Sequence, residues 1–325
     1  TFLPPLPQAS APSLRPRAGD PSSRREPAPL PRCPVSDAIL FRSGRDSISS
    51  SAFPPGRGIL VVGHGTADPV GAAETRGVAD AVSELLPGVP VALGFLEVIG
   101  PSIGEAMAVL AAAGCREVVA APLLLFAAGH AKRDVPEAIL AAAQACGLLV
   151  RLAEPLGCHP DIVALSRHRR LEAVAAAGPV PAEATTLVMV GRGSSDPTAA
   201  AQLEVFTTAT LAADPPPRRV VAGFVAAARP NLAEALAMAA DPSDAGVRRI
   251  LVQPHLLFRG HVEEQVAAAM ETACGKRPDL DWVQVGRLGP DPLVARALIE
   301  RAAAAAAAEN VAAKSPRQTV PNPSQ

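Results

Sequence analysis

The feature that most constrains this chain is that it repeats itself. The stretch GILVVGHGTADP (58–69) returns as TLVMVGRGSSDP (186–197), with Gly63 and Gly191 matched at a separation of 128 residues and Asp68-Pro69 matched to Asp196-Pro197. The correspondence continues downstream. GFLEVIGPSIGEAM (94–107) pairs with GFVAAARPNLAEAL (223–236), PLLLFAAGH (122–130) with PHLLFRGH (254–261), and LGCHPDIVA with LGPDPLVAR. A repeat of this length is a whole folding unit, so whatever the first half folds into, the second must also fold into. Two similar halves on one chain are expected to face each other across a pseudo-two-fold cleft.

Within the first half, apolar runs of strand length alternate with Ala-rich stretches. Strands are expected at 59–63, 89–96, 116–125 and 148–156, and helices at about 69–86, 101–113, 131–146 and 160–177. Runs that are apolar at every position suit strands buried on both faces. Alternation of strand and helix then implies α/β halves, each a doubly wound parallel sheet with right-handed crossovers. The segment GPVPAEA (178–184) interrupts the pattern and sets the expected division into 57–178 and 179–310. Residues 1–56, rich in Pro, Ser and Arg without apolar periodicity, read as a disordered extension, and 311–325 as a disordered polar tail.

Composition excludes several classes. With 49% apolar residues and a net charge of −1, the chain can form a core but has no basic field to attract nucleic acid. Eight Phe, one Trp and no Tyr leave few platforms on which bases could stack. No apolar run reaches the length of a membrane span. The five cysteines (Cys33, Cys115, Cys146, Cys158 and Cys274) include no C-x-x-C pair, which fits a reducing compartment. Seven arginines against four acidic residues in 1–56 resemble a transit peptide in composition, but the many prolines oppose the amphipathic helix such peptides form. With no signal-type hydrophobic stretch, a cytoplasmic location is expected.

In an open parallel sheet, ligands bind beyond the carboxyl ends of the strands, where the strand order reverses. For the order 2-1-3-4, that point lies between the first and third strands. His64 follows the first strand and His130 the third, while Glu97 ends the second. Two imidazoles and a carboxylate suit a first-row divalent metal held with open positions. They equally suit general-base work near neutral pH. The plain alternative is a set of hydrogen-bonded loop residues. His159, before Pro160-Asp161, reads as a local helix cap rather than a ligand. The second half has Arg192 where the first has His64, Ala226 where it has Glu97, and keeps His261 where it has His130. One working site, in the first half, with the second half as its opposing wall, accounts for that divergence. Arg192, Arg229 and Arg259 fall in strand-end loops of the wall, where guanidinium groups match a substrate with several carboxylates, or are simply solvated.

VVGHGTADP, GFLE followed by PSIGEA, and PLLLFAAGHAKRDVPEA together resemble the sirohydrochlorin chelatases, the class II tetrapyrrole chelatases, over about residues 58–300. The most specific elements are Gly63-His64-Gly65-Thr66 and the run from Gly129-His130 to Asp134-Val135-Pro136. The resemblance implies a two-half chelatase-like fold and insertion of Co(II) or Fe(II) into sirohydrochlorin, towards cobalamin or sirohaem. It implies that His64 and His130 bind the metal and take the pyrrole protons, with Glu97 as an acidic helper. Arg192, Arg229, Arg259 and His261 are the expected substrate contacts. No organic cofactor is implied: the metal and sirohydrochlorin are the partners. A monomer whose halves act as a pseudo-dimer is expected.

Two rival readings remain. A histidine phosphatase needs an arginine immediately before its histidine, and Gly63 stands there. A non-catalytic tetrapyrrole or metal carrier would use the same residues, and turnover separates it from an enzyme.

Overall fold

The computed structural model describes residues 52–126 and 131–308, all within one compact unit. Residues 1–51, 127–130 and 309–325 lie outside the described residues, and with them most of the N-terminal extension, the polar tail and His130. The described structure extends a few residues before the expected boundary at 56. Phe53 is buried against Ile59 and Val61, and the Arg57 guanidinium donates to the Ala52 carbonyl at 2.7 Å. An Ala-Phe pair between Ser51 and Pro54 has no periodicity for a sequence reading to detect.

The first half runs β1 (Arg57–Gly63), α1 (Pro69–Leu85), β2 (Val91–Phe95), α2 (Ile103–Ala112), β3 (Glu117–Pro122), α3 (Ala131–Cys146), β4 (Leu149–Leu152) and α4 (Pro160–Ala177). A short 3-10 turn at Ala182–Ala184 leads into the second half. That half comprises β5 (Thr185–Gly191), α5 (Pro197–Leu211), β6 (Arg219–Phe224), α6 (Leu232–Ala239), β7 (Arg249–Pro254), α7 (His261–Lys276), β8 (Asp281–Gln284) and α8 (Pro292–Ala307). Both sheets are parallel and ordered as expected, β2-β1-β3-β4 and β6-β5-β7-β8. Leu60 lies opposite Ala92 and Ala120, and Val188 opposite Val221 and Val252. Helix starts are duplicated with the strands. Asp68 and Asp196 each accept from backbone amides of the turn they cap, before a proline whose missing N–H costs the helix nothing. Ser102 with Glu105 and Asn231 with Glu234 form matching capping boxes on α2 and α6.

The sequence division at 178 conceals an exchange. The last helix of each half lies across the sheet of the other half. Val294, Leu298, Ile299 and Ala302 of α8 join the core built on Ile59, Val61, Val119 and Ala121 of β1 and β3. Ala173 and Val174 of α4 pack against Leu187 and Leu251 of β5 and β7. Polar locks hold both exchanged helices in register. Arg249, only 1% exposed, donates to Asp281 and to the carbonyls that end α4, Ala177 at 3.1 Å and the capping Gly178 at 2.8 Å. In the first half the charges at this position are inverted. Glu117 accepts from Arg57 and Arg151, and Arg151 donates to the Ala308 carbonyl just past α8. Arg170 of α4, also buried, is neutralised by Asp214 at 2.7 Å and donates to the Thr210 carbonyl at 2.6 Å. A buried guanidinium is tolerable only with partners of this kind.

Candidate functional site

β1 is buried along nearly its whole length and releases the chain at Gly63, where a Cβ would press on the Phe95 ring. Pairing with β2 continues past the strand ends. Leu96 N–H donates to Gly63 O at 2.9 Å and Glu97 N–H to His64 O at 3.1 Å. These two bonds carry His64 and Glu97 out of the sheet side by side, and His64 Nδ1 lies 3.3 Å from Glu97 Oε1. Both side chains remain open to solvent, at 36% and 58% exposure. The close approach depends on Gly65. Its φ is +99°, and a Cβ there would overlap the Glu97 carbonyl oxygen. Gly65→Ala is therefore expected to cost about 2–4 kcal/mol. Gly77→Ala, inside α1 with open space where the Cβ would go, should be neutral or stabilise by up to about 1 kcal/mol. Urea unfolding of the two variants measures the contrast.

The second half builds the same loop with other side chains. Val225 N–H donates to Gly191 O at 3.1 Å, and Ala226 N–H to Arg192 O at 2.9 Å. Gly193 has φ +88° and faces the Ala226 carbonyl as closely as Gly65 faces that of Glu97. On equivalent backbones the first half thus presents an imidazole beside a carboxylate, and the second a guanidinium beside a methyl group. Arg192 is exposed and has no hydrogen-bond or ion-pair partner among the described residues.

The other expected site residues fall out differently. Arg229 is occupied by Glu234 at the start of α6. Arg259 places Nε 3.4 Å from Asp68 Oδ2, and its backbone N–H donates to Glu74 Oε2 at 2.8 Å. His261 opens α7 with its side chain 79% exposed, 3.7 Å from Glu264. His159 is the cap of α4: it accepts from Asp161 N–H and lies 3.3 Å from Glu300, and burial draws its pKa down. Among the described residues no group of three His, Cys, Asp or Glu gathers into a metal-binding set.

The halves meet where these loops lie. The Arg259 carbonyl sits where a Cβ of Gly71 would be, and Gly260 faces the Thr66 hydroxyl. Across the pseudo-two-fold, Lys132 Nζ reaches Asp196 Oδ2 at 2.5 Å and Thr198 Oγ1 at 3.0 Å, and that ammonium holds the Asp196 carboxyl far below the usual carboxylate range. Each half therefore docks a residue from the region after its third strand on the first-helix N-terminus of the other. Asp68 and Asp196, the caps of α1 and α5, also receive these cross-half cations.

Sequence reasoning missed Lys132, Glu74, Arg287 and His255. His255 follows β7 in an apolar run, where the first half has Leu123. It is 5% exposed, with ring centroids of Phe126 and Phe206 at 4.9 and 4.1 Å and, among the described residues, no hydrogen-bond partner on either nitrogen. Burial pushes its pKa down to about 3. Glu74 did carry a signal: it lies on the stripe of α1 that buries Gly71, Thr75 and Val78.

The CbiX family model matches residues 58–173 and again 186–305. The sirohydrochlorin ferrochelatase of Bacillus subtilis (strain 168) is 30% identical over 229 residues, covering 68% of this chain and 82% of that protein. The sirohydrochlorin cobaltochelatase of Priestia megaterium is 25% identical over 247 residues, 76% of this chain and 79% of that one. SirB from Bacillus subtilis, solved with Fe3+, superposes with a TM-score of 0.67 at 26% identity, covering 77% of this chain and 96% of SirB. CbiX, the terminal enzyme of sirohaem biosynthesis in denitrifying bacteria, shares the fold with a TM-score of 0.51 at 20% identity, over 77% of this chain and 99% of that one. With one match to each half, the chain belongs to the CbiX family of sirohydrochlorin chelatases, as its tandem two-half form.

Proposed function

We propose that this protein inserts Co(II) or Fe(II) into sirohydrochlorin, for cobalamin or sirohaem synthesis in the cytoplasm, with one working site in the first half. The observation that carries this reading is the His64–Glu97 pair, set 3.3 Å apart on a loop whose second-half copy holds Arg192 and Ala226. Insertion replaces two pyrrole N–H protons by one divalent ion, so the site must both strip water from the metal and accept protons. Neutral imidazole does both. His64 and His130 bind the incoming ion and take the protons, and Glu97 holds the His64 ring and stabilises the charge it gains. No nucleophile or organic cofactor enters this chemistry. The second half closes the site as a built-in partner, in a monomer whose halves form a pseudo-dimer.

Arg192, Arg229, Arg259 and His261 line that partner wall. Arg229 and Arg259 already serve carboxylates of the protein, whereas Arg192 has no partner among the described residues and is the guanidinium best able to meet a substrate carboxylate. Arg192→Ala should raise KM for sirohydrochlorin about tenfold with little change in kcat, the pattern of a lost charge-assisted hydrogen bond away from the reacting nitrogens. An unchanged KM removes Arg192 from the substrate contacts.

The function itself is tested by anaerobic absorbance of the macrocycle with Co(II) or Fe(II). Repeated turnovers above the uncatalysed rate support a chelatase. A spectral change that stops at one equivalent supports a carrier instead.

A further inference from the structure

The contact between the halves is not equally built on its two sides. Beside Arg192, the polar contact among the described residues is Lys132, an exposed side chain that meets Asp196 and Thr198, with Phe126 of the first half packed edge-on against Phe206 of α5. Beside His64 it is a network. Glu74 of α1, 13% exposed, accepts from the Arg259 N–H at 2.8 Å and from the Arg287 guanidinium. Arg287, in the segment between β8 and α8, also donates to both oxygens of Glu263 in the first turn of α7, at 2.8 and 3.1 Å. One carboxylate of the first half thus holds both ends of the segment 259–263: Arg259 directly, and Glu263 through Arg287. Gly71, the residue one turn earlier on α1, has no Cβ, and the Arg259 carbonyl fills that space.

The repeat shows that this network is not part of the common fold. At the positions equivalent to Glu74, Arg287 and Glu263, the other side has Gln202, Pro155 and Lys132. None of those three residues can reproduce the acid–guanidinium–acid chain. The asymmetry runs the same way as that of the site residues: the clamped side is the one with His64 and Glu97. A partly buried network in which each carboxylate meets a guanidinium fixes relative position more firmly than one exposed lysine–carboxylate contact.

We propose that Glu74 and Arg287 are positioning residues that clamp the Arg259–Glu263 segment of the second half onto the His64 loop, making the metal-insertion site a composite of both halves. Neither residue touches the metal. The clamp sets where Arg259, His261 and the start of α7 stand relative to His64, and so fixes the width of the slot that a flat, polycarboxylate macrocycle enters. This inference rests on the function proposed above.

Two variants of the full chain grade the effect. Glu74→Gln keeps an oxygen for the Arg259 amide but loses the charge pair, and Glu74→Ala loses both. In the absence of substrate, amide hydrogen exchange over residues 256–264 should quicken about tenfold in Glu74→Ala and less in Glu74→Gln. KM for sirohydrochlorin should rise about fivefold to tenfold, in the same order, while kcat stays within about twofold. Unchanged exchange over 256–264, or quickened exchange with an unchanged KM, overturns the proposal. So does a fall in kcat with KM constant, which is what a smaller folded fraction would give. Wild-type protein that fails to turn over sirohydrochlorin refutes the proposed function alone, and the exchange measurement then decides the clamp by itself.

Discussion

Replacing His64 by alanine is expected to abolish metal insertion and leave the protein folded. The side chain is one-third exposed, and its loop is held by backbone bonds and by the glycine after it rather than by the imidazole. If His64 has the metal-binding, proton-accepting role proposed above, its loss should lower turnover by at least about a hundredfold. His130→Ala should do the same. His261→Ala, which alters a 79% exposed ring in the half that has Arg192 and Ala226 in place of His64 and Glu97, should cost less than about tenfold. Initial rates from the macrocycle spectrum, with far-ultraviolet circular dichroism as the folding control, check all three. Normal turnover in either of the first two variants sinks the site assignment. Equal loss in the third would mean that both halves supply reacting groups.

The parts of this arrangement that were legible in the sequence are those written into local pattern. The parallel sheets follow from strand–helix alternation. The helix starts follow from Asp68-Pro69 and Asp196-Pro197, and the adjacency of His64 and Glu97 from their places at the ends of two neighbouring strands. The repeat added a comparison that a single-copy chain lacks, and it singled out Arg192 and Ala226 as departures on a shared backbone. The exchange of α4 and α8 was not legible. A helical stripe shows that one face must be buried but not which sheet will bury it, and with duplicated sheets both are acceptable. Lys132 and Arg287 were hidden for a related reason: an isolated basic residue in a loop or a first turn looks solvated until its partner from the other half is in place. Glu74 was different, because a carboxylate on the buried stripe of α1 requires a buried partner. That requirement could have been read from sequence, although the identity of the partner could not.

His255 is the residue least expected from sequence, and it should dominate the response of this protein to acid. Its ring is sealed between Phe126 and Phe206, and burial holds its pKa at about 3. An unfolded chain binds a proton on this histidine as pH falls below about 6.5, whereas the folded protein does not until about 3, so stability is lost progressively across that window. The loss approaches 1.4 kcal/mol per pH unit, or about 2 kcal/mol at pH 5 relative to neutral pH. Two ring nitrogens without partners among the described residues add a cost that does not depend on pH, about 1–3 kcal/mol for a buried group left unsatisfied, partly offset by about 0.5–1.5 kcal/mol for each aromatic contact. His255→Leu, which installs the residue found at the equivalent position, Leu123, removes both costs. The variant should be about 1 kcal/mol more stable than wild type at pH 7 and about 3 kcal/mol more stable at pH 5. Urea unfolding at the two pH values measures the difference directly. A gain that is the same at both would mean that the buried imidazole is protonated in the folded state or finds a partner there. A gain that widens as pH falls places the acid sensitivity of the interface between the halves on this one ring.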